Sequence, residues 1–253
     1  QVGQAVSSIN DAITSRLIEL AKQEFGPAPA AFAWLACGSQ GRHEQTVHSD
    51  QDNALMFDDA IDDTQHGSYF TVLAQRVNDG LDACGYRYCP GKVMASNFLW
   101  RQPQRQWIAS FRGWIERTDV MAAMLAANFL DLRTVYGDMA LLAPLHEAIN
   151  QSCSKSEVFL AQMVANALRN KPPLGFFRNF TLIADGQHAD SFDIKRGGLI
   201  PITDIARIHA LANGLPQIGT VARLRAAAGT PVLSAESAHE LEEAFEYFGS
   251  LRL

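Results

Sequence analysis

Apolar positions recur along this chain with two periods, and the change from one to the other marks its elements. Val6, Ile9, Ile13, Leu17, Leu20 and Ala21 fall at helical spacing, which predicts an amphipathic helix over Ser7–Glu24; Gly26, Pro27 and Pro29 stop it. Ala31–Cys37 is an unbroken apolar run of strand length, and Asn53–Phe57 is a second. Phe70, Leu73, Val77 and Leu81 predict a helix over about 65–83. Tyr86–Tyr88 then leads toward a further strand, Lys92–Ala95, behind the turn Cys89-Pro90-Gly91.

From Gln104 the period is helical. Trp107, Phe111, Trp114 and Ile115 share a face that reads as core, and Thr118-Asp119 reads as a helix start. The apolar run behind it is expected to continue as one helix, interrupted by Asp131 and Arg133, to a C-cap at Gly137. Two more helices are expected over 138–153 and 156–169, broken by Pro172-Pro173, with a less regular stretch around Phe176, Phe177 and Phe180 behind them. Asp193, Lys195 and Arg196 alternate with apolar residues before a glycine pair, as a solvated strand edge would. Helices are predicted over 201–212 with Gly214 as cap, from Thr220, and from Ser234 or Ser237 to the end, where Phe245, Phe248 and Leu251 share a face. The fold class expected is α+β, a small mixed sheet with helices followed by a helical C-terminal domain. In residues, that is an N-terminal helix and linker over 1–30, an α/β domain over 31–140 and a helical domain over 141–253.

The chemistry concentrates between the first two apolar runs, in CGSQGRHEQTVHSDQDN. Side chains alternate faces along a strand, so Asp50 and Asp52 are expected to point the same way. Paired carboxylates repel unless a cation lies between them, and a hard-oxygen pair suits Mg²⁺ or Mn²⁺. Upstream, Gly38 and Ser39 can offer backbone N–H groups and a hydroxyl to an anion. Arg42, inside the same turn, can grip two phosphate oxygens, and Lys92 can add charge or merely snorkel at a strand end. GSQGRH is neither G-x-G-x-x-G nor a Walker A loop. His43 and His48 flank the loop, but no Cys or His spacing supports a closed zinc site. Without a metal, the same aspartates would only cap or solvate a turn.

Gly38-Ser39, ten residues, then Asp50-x-Asp52 resembles the signature of the nucleotidyltransferase superfamily that includes DNA polymerase beta and kanamycin nucleotidyltransferase. The longer string GSQGRHEQTVHSDQDNAL is similar to a narrower group, the signal-transduction nucleotidyltransferases related to the uridylyltransferase of the PII protein. GYRYCPGKVMASN, FLDLRTVYGD and FDIKRGGLIPITDIARIHAL extend the similarity over nearly the whole chain. The resemblance implies a polymerase-beta-like nucleotidyltransferase domain. It also implies transfer of a nucleoside monophosphate from a nucleoside triphosphate to an acceptor hydroxyl, with a signalling protein as one acceptor class. Asp50 and Asp52 would then be catalytic and metal-binding, with Gly38, Ser39, Arg42 and Lys92 on the nucleotide. Relatives often carry CBS and cyclic-nucleotide-binding domains upstream, so regulatory domains before residue 1 are expected. Many of these enzymes place a third carboxylate on a later strand. Lys92–Ala95 has none, which leaves Asp119 and Asp131 as candidate bases and keeps open a catalytically inactive, nucleotide-binding regulatory module.

Composition narrows this picture. The 253 residues are 47% hydrophobic and carry a net charge of −6, enough apolar content for a sizeable core and too acidic for standing affinity to nucleic-acid polymers. Four scattered cysteines without a C-x-x-C spacing, no apolar run long enough to span a bilayer and no signal peptide lead us to expect a cytoplasmic protein with no membrane partner.

Overall fold

The computed structural model describes residues 2–60, 63–117, 120–170, 191 and 193–252. In chain order these form α1 (Val2–Phe25), β1 (Phe32–Ala36), α2 (Gly38–Gly41), β2 (Asn53–Phe57), α3 (Asp63–Ala83), β3 (Arg101–Pro103), α4 (Gln104–Glu116), α5 (Val120–Phe129), β4 (Arg133–Gly137), α6 (Ala143–Cys153), α7 (Glu157–Ala167), α8 (Ile200–Ala212), α9 (Thr220–Ala227) and α10 (Ala235–Ser250). The chain divides into two compact units, one of Gln1–Trp114 with Ala126–Ile149, the other of Ile115–Leu125 with Asn150–Leu253. The N-terminal helix therefore belongs to the first unit.

That unit is an α+β structure around a four-stranded mixed sheet of order β3-β2-β1-β4. β1 runs antiparallel to both β2 and β4, while β3 lies parallel to β2. Every residue of β1 and β2 is buried, as their unbroken apolar character requires of central strands. Phe32, Trp34, Leu55 and Phe57 pack on Ile18 and Ala21 of α1 and on Phe70, Leu73, Val77 and Leu81 of α3. The Phe57 and Phe70 rings stack with centroids 5.2 Å apart. Elsewhere in the unit Trp100, Trp107 and Trp114 gather on Phe129, and the Trp107 indole N–H donates to the Leu55 carbonyl at 3.2 Å.

Three expected elements come out differently. The long helix to Gly137 stops at Phe129, and Arg133–Gly137 is instead the edge strand β4, paired with β1. Leu130-Asp131-Leu132-Arg133 already alternates with a period of two, and Thr134, Val135 and Tyr136 are strand formers. Gly137 ends a strand, not a helix: its φ is +92°, and a Cβ there would lie 2.0 Å from the Phe32 carbonyl oxygen. Lys92–Ala95 is a turn in which Lys92 has φ +54°, and the third strand lies later, at Arg101–Pro103. Lys195–Leu199, expected as a strand edge, is a π-helical turn running into α8.

The second unit is helical. Ile202 and Ala206 of α8, Leu224 and Ala227 of α9, Leu233 and Ala238 form its core, with Phe245 and Phe248 of α10 against it. Gly198 is tight here because a Cβ would meet the Phe248 ring at 3.0 Å. Serines start two helices: the Ser156 side chain accepts from Phe159 N–H and that of Ser234 from Ser237 N–H. Ser234→Ala is expected to cost about 1 kcal/mol in urea unfolding, the usual worth of an N-cap. Phe176, Phe177, Phe180, Pro172 and Pro173 lie outside the described residues.

Candidate active site

β1 delivers the chain into α2, a single helical turn. Gly38 opens it at φ +52°, where a side chain would be strained, and Gly41 N–H closes it on the Cys37 carbonyl at 3.0 Å. The leading N–H groups, of Gly38, Ser39 and Gln40, have no carbonyl within the turn to receive them. Ser39 is half-buried. The other end of the turn is held firmly. Arg133 donates to the Gln40 and Gly41 carbonyls at 3.2 and 3.3 Å, and it reaches Asp11 of α1, which also accepts from the Gln40 carboxamide at 3.0 Å. Beneath the turn, the Asp131 backbone lies so close that a Cβ on Gly41 would stand 2.0 Å from its carbonyl oxygen.

Asp50 and Asp52 come just before β2, with Asp50 half-buried. Gln51 and Asn53, the alternate positions, are 1% and 2% exposed and turn inward to Asn78 of α3. Asp52 faces the turn: its Oδ2 lies 3.3 Å from the place a Gly38 Cβ would take, and its carbonyl accepts from Cys37 N–H at 3.0 Å. Cys89 lies near the Asp52 carboxylate, and burial and then this negative neighbour push its thiol up to about 11. Cys37, fully buried, is pushed well above the ordinary thiol range by burial first and then by Asp52 and Asp131. Both cysteines are free thiols whose ionisation burial opposes.

Arg42, expected on phosphate, has both edges of its guanidinium on carboxylates, Glu44 at 2.6 Å and Asp131 at 2.5 Å. Burial opposes its charge, but these two carboxylates outweigh it and raise its pKa. Asp131 is fully buried at the start of the link into β4, not on a helix. Lys92 is exposed on the turn that its own N–H closes on the Cys89 carbonyl at 2.9 Å. Asp119 lies outside the described residues. Neither β3 nor β4 carries an acid. His43 has φ +59° and is pushed down by burial and then by Arg133. Among the described residues no group of three or more His, Cys, Asp or Glu could hold a metal ion.

The residues missed in the sequence are Gln51, Asn53 and Asn78. Their signal was present: amides alternate with the aspartates in SDQDN, and Asn78 breaks the apolar seam Leu73, Ala74, Val77, Leu81. Among the described residues no helix is long and apolar enough to cross a membrane.

Comparison with known families places most of the chain. Residues 1–120 match the family model described as "Putative nucleotidyltransferase DUF294", and residues 157–253 match "Putative nucleotidyltransferase substrate binding domain". No curated protein matches the chain. With both of that family's domains present in order, on an α+β unit and a helical unit, the chain belongs to this family of putative nucleotidyltransferases.

Proposed function

We propose that the protein is a metal-dependent nucleotidyltransferase that moves a nucleoside monophosphate from a nucleoside triphosphate to an acceptor hydroxyl. One observation carries the reading: the Asp52 carboxylate lies against Gly38, at the leading end of a turn whose first N–H groups are unused by the turn itself. Two carboxylates and no sulfur or imidazole ligand suit Mg²⁺ or Mn²⁺, which take few protein ligands and complete their shell with phosphate and water oxygens. Asp50 and Asp52 would hold the ion; when bound it polarises the α-phosphoryl group and neutralises the leaving pyrophosphate. Gly38 and Ser39 receive phosphate oxygens. Arg42 braces the turn through Asp131, and Lys92, exposed on the turn that follows Cys89, would add positive charge toward the phosphates in this reading. The acceptor, by resemblance a signalling protein, is recognised by the domain over 157–253 in this reading.

A second reading has a specific observation behind it. With no acid on β3 and Asp131 paired to Arg42, the site lacks an evident general base, which favours a nucleotide-binding regulatory module that transfers nothing. Two measurements separate the readings. Calorimetry with each triphosphate, in Mg²⁺ and in EDTA, is expected to show binding only with metal, weakened roughly 100-fold or more in Asp52→Asn, with little loss of stability. Incubation with labelled triphosphate and cell extract is expected to release pyrophosphate and label a macromolecule with the wild type alone. Metal-dependent binding without label would select the regulatory module, and binding unaffected by EDTA would sink the metal reading.

A further inference from the structure

We infer that Asn78 is the positioning residue of the carboxylate pair, the group that fixes which face of the Asp50–Asn53 segment turns toward the glycine turn. The inference rests on the nucleotide reading above. Asn78 is 0% exposed in the middle of α3, flanked on its buried face by Leu73, Ala74, Val77 and Leu81. A carboxamide there loses its water, and it is tolerated only if its polar atoms are satisfied. All of them are. Nδ2 donates to Gln51 Oε1 at 2.7 Å and to Asn53 Oδ1 at 3.0 Å, and Oδ1 accepts from Ser96 N–H at 2.9 Å. The Asn78 backbone carbonyl accepts from Gln51 Nε2 at 2.9 Å, and the second N–H of that amide reaches the Tyr86 carbonyl at 2.8 Å. Asn53 Oδ1 also accepts from Ala95 N–H at 2.9 Å.

This network selects a register. Along extended chain a slip of one residue exchanges the two faces, which would bury Asp50 and Asp52 against α3 and present amides to the turn. The pairing of Asn78 with Gln51 and Asn53 excludes that slip. The network holds the loop over residues 86–96 at its two ends, through the Tyr86 carbonyl and Ser96 N–H, and separate backbone bonds fasten it on both sides of Asp52: Gln51 N–H donates to the Arg87 carbonyl at 2.9 Å and Asn53 N–H to that of Val93 at 3.1 Å. The loop in turn brings Cys89 near the Asp52 carboxylate. One buried amide thus sets the direction of Asp52 and the seat of the loop that lies near it.

The test uses the whole chain carrying Asn78→Ala and, as a milder change, Asn78→Ser, at a temperature where circular dichroism reports each as fully folded. Mg²⁺-dependent triphosphate affinity is expected to fall about tenfold or more, the scale seen when groups that orient metal ligands are removed. A residue that only stabilises the fold would lower the melting temperature and leave the affinity of folded protein unchanged. A second readout needs no nucleotide. Alkylation of half-buried Cys89 by iodoacetamide, followed on its own peptide because Cys84 is exposed, is expected to speed up as the loop comes away from Asp52. Wild-type affinity with unchanged alkylation in both variants overturns the inference. If the wild type itself shows no metal-dependent binding, the nucleotide reading falls. The alkylation rate then decides alone: faster supports the hold of Asn78 on the loop at Asp52, and unchanged refutes it.

Discussion

Gly41→Ala is expected to lower stability by about 3 kcal/mol or more and to remove metal-dependent nucleotide binding. A Cβ at Gly41 would stand 2.0 Å from the Asp131 carbonyl oxygen and 3.1 Å from that of Ala36. Both obstacles are backbone, so no side chain can swing aside. Nor can the backbones part readily, because Ala36 and Arg133 are register partners in the β1–β4 ladder. The turn would have to lift from its floor, and in lifting it would break the bonds from Arg133 to the Gln40 and Gly41 carbonyls. Gly113→Ala is the matched control. It lies inside α4 with open space where a Cβ would go, and alanine there is expected to stabilise by about 0.5–1 kcal/mol. Urea unfolding and calorimetry on both variants check the pair; nucleotide binding retained by Gly41→Ala would show that the turn does not hold the ligand.

The elements that were legible in the sequence are those whose apolar period is unmixed. α3 and the central strands β1 and β2 have cores that depend on one face or on complete burial, and both patterns survive in the bare sequence. α1 was legible as a helix but not by its face: it buries Ser7, Asn10, Thr14, Ile18 and Ala21, while Ile9 and Leu20 of the expected apolar stripe are exposed. The edge strand β4 did not announce itself, because it follows an apolar helix without a Gly or Pro between them. Its own residues are half-buried, so the alternation beginning at Leu130 is short and easily absorbed into the preceding period. β3 is three residues long and contains Arg101, Gln102 and Pro103, which carry no apolar pattern at all. Its partner β2 supplies the reason it is a strand, and partners are not written in local sequence.

At the site the division is similar. Gly38, Ser39, Asp50 and Asp52 could be proposed from the sequence because they are spaced along one short loop. Arg42 was visible as a cation, but not as one occupied by a carboxylate 89 residues away. Asp11, Asn78 and Arg133 support the loop from three other elements, and only the fold brings them to it. An amide in an apolar helix seam was the readable trace of Asn78. Asp11, on a partly exposed helix position, left none.

The Arg42–Asp131 pair yields the second large effect, and it decides what Asp131 is for. Arg42→Met is expected to destabilise by about 3–5 kcal/mol, because it takes the Arg42 cation from the carboxylate of a fully buried Asp131. Asp131→Leu should cost a comparable amount, since the guanidinium loses one of its two carboxylates and keeps Glu44, in a place mostly closed to water. The double variant Arg42→Met/Asp131→Leu removes the Arg42–Asp131 pair together and fills the space with apolar atoms, so it is expected to recover part of the loss, the rest remaining because Glu44 loses its bond to Arg42. Denaturant unfolding of the four proteins gives the coupling energy directly. Transfer activity of the double variant then separates a structural role from a chemical one. If Asp131 is only a brace under the turn, the folded double variant transfers nucleotide near the wild-type rate. If Asp131 takes the proton from the acceptor hydroxyl, the double variant is folded and binds metal and nucleotide, yet does not turn over. Its depth and its pairing favour the brace, and a stable, binding-competent but inactive double variant would overturn that assignment.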